Sequence, residues 1–152
     1  MIHYTASIAT LLGLAGLSPA WGISGTTNHV WHAVGSSAAY IRGAPAFGDD
    51  GTIYAGSGDN NLYAFNPDGT TNHVWNAGAD IIGSPAIGTN GTIYIATCSP
   101  TNRVWAFNPD GTTNGYWQLP YSVYGTPAIG ADGTIYIGDL GHKFHALNPS
   151  DY

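Results

Sequence analysis

The segment GSPAIGTNGTIY, at residues 83–94, occurs in three closely similar copies along the chain. The other copies are GAPAFGDDGTIY at residues 43–54 and GTPAIGADGTIY at residues 125–136, so the spacings are 40 and then 42 residues. A second motif follows each copy, reading AFNP at residues 64–67 and 106–109 and ALNP at residues 146–149. The chain therefore repeats one structural unit along most of its length.

Each unit contains the turn signals of a small antiparallel sheet. Asp50-Gly51, Asn90-Gly91 and Asp132-Gly133 are hairpin signals, because a two-residue turn of this kind needs positive φ at both central residues. Asn-Pro-Asp-Gly at residues 66–69 predicts a second turn, in which Pro presets φ and Gly accepts a positive φ. A repeat of this length with several short strands is typical of a β-propeller blade.

We predict an all-β chain that forms a partial β-propeller of about three four-stranded antiparallel blades. The blades are expected at about residues 43–78, 83–120 and 125–152. Residues 24–31 read SGTTNHVW and match DGTTNHVW at residues 68–75, so residues 26–34 are predicted to be a leading fourth strand without the rest of its blade. The last blade is expected to lack its own fourth strand.

Two arrangements would account for this strand count, and the sequence leaves both open. In the first, chains join head to tail, and each donates its leading strand to the last blade of the next chain. In the second, the chain is a fragment of a longer propeller with exposed sheet edges.

The composition favours tight turns and excludes two classes of partner. All nine acidic residues are Asp, and Lys and Arg together number three, which gives a net charge of −6. Asp favours turns and caps, whereas Glu favours helix interiors. A negative chain is not expected to bind nucleic acid or anionic membranes, since both require a basic face.

The repeats resemble those of the pyrroloquinoline-quinone (PQQ)-like β-propeller family over about residues 26–152. The resemblance lies in the repeated Pro-Ala segment, the Gly-Thr-Ile-Tyr segment, the Asn-Pro-Asp-Gly-Thr turn and the Trp that follows it. It implies tryptophan-docking motifs, in which each Trp contacts the neighbouring blade, a role that suits a large aromatic beside a tight turn. The blade-docking residues by this resemblance are Trp31, Ala64, Asp68, Gly69, Trp75, Ala106, Asp110, Gly111 and Trp117.

The same family includes quinoprotein dehydrogenases. The resemblance implies that those enzymes bind the quinone at the centre of a complete ring, with a catalytic Asp, a Ca²⁺ ion and in many cases a vicinal pair of cysteines. This chain has a single cysteine, Cys98, in a predicted hairpin loop. We therefore expect no PQQ or other cofactor and no catalytic residue, and we expect Cys98 to be a residue of a surface loop.

Asp139, His142 and His145 form the one local polar group that departs from the repeat. A metal site commonly needs three or four convergent ligands. In an extended strand, residues three apart point to opposite faces. We therefore predict no metal site and regard these three residues as weak candidates only. His29 and His73 occupy equivalent repeat positions and are interpreted as blade-surface residues.

Residues 1–20 resemble a secretory signal peptide. Residues 8–17 read IATLLGLAGL, and Ser18-Pro19-Ala20 offers small residues for cleavage, although no Lys or Arg precedes the apolar stretch. This stretch is too short to cross a bilayer. We predict a secreted, periplasmic or cell-envelope location; the alternatives are an uncleaved apolar arm and a mistaken start codon.

Three functions from different classes follow from this sequence. The first is a non-catalytic secreted or cell-envelope scaffold that binds protein partners, similar to outer-membrane assembly propellers, although no lipobox cysteine follows the leader. The second is a carbohydrate-binding or adhesive module that uses exposed Tyr and Trp side chains. The third is a fragment of a PQQ-dependent dehydrogenase-like propeller.

Overall fold

The computed structural model describes residues 40–152, in which three consecutive antiparallel sheets form and no helix occurs. This confirms the predicted all-β fold with three blades. The first blade contains β1 (Ala46–Phe47), β2 (Ile53–Gly56), β3 (Asn61–Phe65) and β4 (Thr71–Asn76). The second contains β5 (Ala86–Ile87), β6 (Ile93–Ala96), β7 (Arg103–Phe107) and β8 (Thr113–Gln118). The third contains β9 (Ala128–Ile129), β10 (Ile135–Gly138) and β11 (Phe144–Leu147).

Each blade is a meander in which neighbouring strands in the sequence pair with each other. The short strands β1, β5 and β9 are neighbours in space, so they form the common inner edge of the three blades. Antiparallel connections then define two rims. The hairpin rim comprises residues 40–45, 57–60, 77–85, 97–102, 119–127 and 139–143. The turn rim comprises residues 48–52, 66–70, 88–92, 108–112, 130–134 and 148–152.

The first turn of each blade differs from the two-residue hairpin that we expected. Only the glycine has a positive φ, which is 84° at Gly51, and Asp50 keeps an ordinary negative φ. Gly51 N–H donates to the carbonyl of Gly48 at 3.0 Å, and Asp50 accepts a 2.9 Å hydrogen bond from Thr52 N–H. The connection is therefore a longer loop built on an ordinary turn, with one left-handed residue at its end. The equivalent residues Asn90 and Asp132 behave in the same way.

The core lies between the blades. Tyr54, Leu62 and Ala64 on one face of the first blade pack against Ile93, Ile95 and Phe107 on the facing side of the second. The same arrangement recurs between the second and third blades, where the buried residues are Tyr94, Ala96, Val104, Ala106, Trp117, Leu119, Val123, Ile135 and Ile137. Because a fully buried aliphatic side chain contributes about 1.5–3 kcal/mol, these interfaces supply most of the apolar stabilisation of residues 40–152.

Hydroxyl acceptors also join the blades, close to the inner strands. Ala44 N–H donates to Ser84 Oγ at 2.8 Å, and Ser84 N–H donates to Thr126 Oγ1 at 2.9 Å. Each blade thus supplies an acceptor to the blade before it.

A third apolar cluster, formed by Ala55, Tyr63 and Phe65, lies on the remaining face of the first blade and is buried. No helix within residues 40–152 is long and apolar enough to cross a membrane. The predicted leader at residues 1–20 and the predicted strand at residues 26–34, which includes Trp31, lie outside the described residues.

Candidate protein-interaction surfaces

Trp75 joins the first blade to the second. It lies at the end of β4 and is 5% exposed. Its indole N–H donates to the carbonyl oxygen of Gly111 at 3.0 Å, and its ring lies 5.7 Å from the ring of Phe107. His73 stacks on the other side of the indole at 5.5 Å. The indole is therefore held by apolar contact and by one directional hydrogen bond across the blade boundary.

Trp117 occupies the equivalent place between the second and third blades, but its polar contact differs. It is 9% exposed, and its ring lies 4.8 Å from the ring of Tyr152. Its indole N–H is buried and has no hydrogen-bond partner among residues 40–152. Leaving a donor buried and unpaired costs about 1–3 kcal/mol. Tyr152 also closes on Gly115, where a Cβ atom would collide with it.

The other docking residues build tight turns, and the turn that contains Asp110 and Gly111 receives the indole of Trp75. Gly69 and Gly111 have φ values of 90° and 94°, which suit only glycine. Asp68 and Asp110 each accept hydrogen bonds from the backbone and hydroxyl of the Thr two residues later. These hydrogen bonds lower the pKa of Asp110.

Ala64 and Ala106 are buried beneath the indoles, in the apolar clusters between the blades. With Trp75 and Trp117, they lie inside the fold, so none of these four residues is available to stack on a sugar.

Asp139 and His145 are brought together, and His142 is not. His145 Nε2 lies 2.9 Å from Asp139 Oδ2. His145 occupies the strand position that Tyr63 occupies in the first blade. This hydrogen bond is the main cause that lowers the pKa of Asp139. Hydrogen bonds from the backbone N–H groups of Lys143 and Gly141 lower it further. His142 is exposed at the left-handed position of the hairpin, with φ 63°, where the first blade has Asn60. Among residues 40–152, no three such side chains converge as a metal site would require.

Cys98 is not a surface residue, contrary to the expectation from its place in a hairpin loop. It is 6% exposed, and its Sγ lies 3.9 Å from the carbonyl oxygen of Val123. The loop that leads into the third blade folds over the hairpin, since Ser122 Oγ accepts a 2.9 Å hydrogen bond from Ser99 N–H. Burial is the main cause that raises the pKa of the thiol, and the negative charge of Asp80 raises it further.

The hairpin rim of the third blade carries a patch that sequence reasoning missed, the Tyr121 patch, which comprises Tyr121, Tyr124 and Leu140. These side chains are 51%, 51% and 55% exposed. Leu140 N–H donates to the carbonyl of Ser122 at 3.0 Å, and the ring of Tyr121 covers Gly141. The patch therefore stands on hydrogen-bonded loops. The sequence does contain a signal for this patch. Tyr121 stands where the first repeat has Ala79, and Leu140 stands where it has Gly58, so large side chains replace small ones.

The two rims differ in charge. The aspartates of the turn rim are Asp49, Asp50, Asp68, Asp110, Asp132 and Asp151, whereas the three basic residues, Arg42, Arg103 and Lys143, lie on or beside the hairpin rim. Arg103 stacks over the ring of Tyr116 at 4.0 Å, and Arg42 lies 4.3 Å from the ring of Tyr40. The turn rim is consequently acidic. The hairpin rim combines aromatic and basic groups with three aspartates, Asp59, Asp80 and Asp139.

Solved structures with the same arrangement of blades are known. The WD40 β-propeller domain of Doa1 superposes with a TM-score of 0.61 at 17% identity, over 69% of this chain and 36% of that one. The fold is a β-propeller. BamB from Moraxella catarrhalis gives a TM-score of 0.59 at 19% identity, over 72% of this chain and 34% of that one. A protein of unknown function from Bacteroides caccae gives a TM-score of 0.56 at 13% identity, over 74% of this chain and 43% of that one.

The chain spans less than half the length of each of these three structures. At such low identities they show the fold alone. No protein-family model matches the chain, and no curated protein matches it.

Proposed function

We propose that this propeller is a non-catalytic scaffold, secreted or located in the cell envelope, that binds a protein partner through the Tyr121 patch. The observation that carries the proposal is the exposure of two tyrosines and a leucine on two hydrogen-bonded loops of one rim. Tyr is enriched in the cores of protein interfaces, and Asp is depleted there. The Tyr121 patch is rich in Tyr, and the hairpin rim that carries it has three Asp residues against six on the turn rim.

The patch is also preorganised for binding. Leu140 and Ser122 are tied by a backbone hydrogen bond, and Asn102 Oδ1 accepts a 3.0 Å hydrogen bond from Ser122 Oγ. Loops held in this way lose little conformational freedom when a partner binds, which increases affinity. Binding residues are commonly placed on loops that a rigid scaffold supports.

The envelope location rests on the sequence. It is supported by the apolar leader predicted at residues 1–20 and by the resemblance of the repeats to outer-membrane assembly propellers. Fractionation of the producing cells with an antibody to the chain tests it. Recovery in the cytosol with the leader intact would contradict this part of the proposal.

Site-specific photo-crosslinking in the producing cells tests the partner surface. We expect a photoreactive residue at Tyr124 or Leu140 to give one discrete protein adduct, and the same residue at Thr89, on the turn rim, to give none. The identified partner should then bind the purified protein about tenfold more weakly after Tyr124→Ala. Val74→Ala, on the exposed outer strand, should leave the affinity unchanged. Equal adducts from both rims would contradict the proposal.

A second candidate, carbohydrate binding, is favoured by the same exposed rings, since Tyr side chains can stack on sugars. Affinity electrophoresis in gels that contain polysaccharide distinguishes the two candidates. Retardation that Tyr124→Ala abolishes would favour the carbohydrate function. Dye reduction that depends on added quinone would instead favour the dehydrogenase alternative.

A further inference from the structure

Two equivalent cavities open on the turn rim, at the junctions between neighbouring blades. The first lies between turns of the first and second blades and has a volume of about 170 Å³. The second lies between turns of the second and third blades and has a volume of about 210 Å³. A cavity of about 150 Å³ can hold a molecule of the size of benzene, so each has room for a small organic group.

Both cavities have the same apolar wall, because the repeat builds them in the same way. The apolar residues of the first are Tyr54, Ile87 and Pro109, and the equivalent residues of the second are Tyr94, Ile129 and Pro149. Tyr54 and Tyr94 are buried in the interfaces between blades, which fixes their positions. Glycines, which have no side chain to occupy the space, form much of the remaining wall. Each junction therefore has a preformed apolar cavity.

The two cavities differ in charge on their solvent-exposed side. The first is lined by Asp49 and Asp50, whereas the second has Thr89 and Asn90 at the equivalent positions. All four of these residues are exposed. We name the first the acidic cavity and the second the neutral cavity. Two cavities of the same shape with different charge are expected to select different ligands.

No Lys or Arg side chain among residues 40–152 neutralises the carboxylates of the acidic cavity. The three basic residues, Arg42, Arg103 and Lys143, lie on or beside the hairpin rim, at the other end of the blades. Asp50 Oδ1 accepts a 2.9 Å hydrogen bond from Thr52 N–H, which is the main cause that lowers the pKa of Asp50. This carboxylate therefore keeps its negative charge at neutral pH.

An apolar wall beside two carboxylates matches a ligand that has an alkyl chain with a positive end. The chain would lie against Tyr54, Ile87 and Pro109, where removal of apolar surface from water is favourable. The ammonium group would remain on the exposed side and donate charge-assisted hydrogen bonds to Asp49 and Asp50. A neutral ligand could make only the first kind of contact, and an anionic ligand would be repelled.

We propose that the acidic cavity binds the primary alkylammonium group of a small molecule, with the ammonium at Asp49 and Asp50 and the alkyl chain against Tyr54. The neutral cavity, which has the same apolar wall without a carboxylate, does not bind this group. The acidic cavity lies on the turn rim and the Tyr121 patch lies on the hairpin rim, so either proposal can fail without the other.

NMR titration with n-butylammonium, with 1-butanol as the neutral control, gives the first test. The reporters are the backbone amides of Gly48 and Asp49 for the acidic cavity and those of Gly130 and Ala131 for the neutral cavity. We expect saturable shifts of the first pair only, with a dissociation constant of about 1–10 mM for so small a probe. Binding of 1-butanol should be at least about fivefold weaker, because it lacks the attraction between charges. Equal affinity for the two probes, equal shifts in both cavities or no saturable shift would overturn the proposal.

Exchange of residues between the cavities gives a matched second test. Asn90 Oδ1 accepts a 3.1 Å hydrogen bond from Thr92 N–H, as Asp50 does from Thr52 N–H, so either residue supports the turn. The double substitution Asp49→Thr with Asp50→Asn should abolish the butylammonium shifts of the acidic cavity. The reciprocal substitution, Thr89→Asp with Asn90→Asp, should create such shifts at the reporters of the neutral cavity. Persistence of binding in the first variant, or no gain in the second, would contradict the assignment.

A lysine side chain of a partner protein carries the same chemical group as the proposed small molecule. Photo-crosslinking from Thr89, next to the acidic cavity, distinguishes these two sources. We expect no protein adduct at this position. An adduct that the double substitution Asp49→Thr with Asp50→Asn removes would show that the cavity receives a protein side chain, and the small-molecule proposal would then be wrong.

Discussion

The indole N–H of Trp75 donates a 3.0 Å hydrogen bond to the carbonyl oxygen of Gly111 and so ties the first blade to a turn of the second. The equivalent indole of Trp117 makes no such bond. The two tryptophans are similarly buried but have different ring neighbours, which are Phe107 and His73 for Trp75 and Tyr152 for Trp117.

Replacing each tryptophan by phenylalanine should therefore have unequal effects. We expect Trp75→Phe to lower the free energy of unfolding by about 1 kcal/mol more than Trp117→Phe, because only the first removes a hydrogen bond. The measurement is urea denaturation of each variant beside the wild-type protein at the same concentration. Equal losses would mean that the Gly111 contact contributes nothing to stability.

A substitution at Gly111 should reveal two separate costs. Its φ of 94° disfavours any residue with a Cβ atom, and that atom would also collide with the ring of His73. We expect Gly111→Ala to destabilise the protein by at least about 1 kcal/mol. His73→Ala in the same chain should recover part of the loss, since it removes the collision but not the backbone strain. Full recovery or none in the double-mutant cycle would contradict this account.

The pair formed by Asp139 and His145 predicts a stability that depends on pH. The pKa of Asp139 is lowered in the folded state, chiefly by the hydrogen bond with His145, so folding favours the ionised carboxylate. This contribution is fully present above the unfolded pKa of about 4 and is lost as the pH falls through the lower, folded value. Asp139→Asn should therefore reduce the Tm at pH 7 and have a smaller effect near pH 2. An equal reduction at both pH values would show that the carboxylate charge is not responsible.

Burial of Cys98 predicts a slow reaction with thiol reagents. The side chain is 6% exposed, which limits access to the sulfur, and the pKa of its thiol is raised, which lowers the fraction present as thiolate. We expect labelling at pH 8 to be at least about tenfold slower in the folded protein than in urea. A control cysteine introduced at Thr89, on the exposed turn rim, should label rapidly in both conditions. Equally fast labelling of Cys98 in the folded state would contradict the burial.

The architecture could be predicted because it depends on local signals that repeat. The Pro-Ala segment, the turn glycines and the tryptophans mark the same points of every blade, and three copies exclude coincidence. The sequence could not show that Asp50 keeps a negative φ, because the Asp-Gly dipeptide occurs both in two-residue turns and in the longer loop found here.

The surfaces were harder to predict because they depend on neighbours that are distant in the sequence. Cys98 is buried by Val123, which belongs to the loop that leads into the next blade. The indoles of Trp75 and Trp117 occupy equivalent repeat positions, yet only one meets a carbonyl acceptor across the blade boundary. The exposure of Tyr121 and Leu140 depends in the same way on how the last blade is bounded. Repetition in a sequence predicts what the copies share and says little about how each differs.

The hydroxyls of Ser84 and Thr126, which accept the backbone N–H groups of Ala44 and Ser84, make each junction dependent on two adjacent repeats only. A duplication of the second or third repeat would leave every junction with a hydroxyl acceptor, whereas a duplication of the first would put Ala44, which has no hydroxyl, at that position. The number of repeats can then change by unequal recombination within the gene without new side-chain contacts being invented. Selection for a particular ring size would then act on the angle between adjacent repeats and not on these contacts. Propellers of different size can in this way descend from one duplicated ancestor.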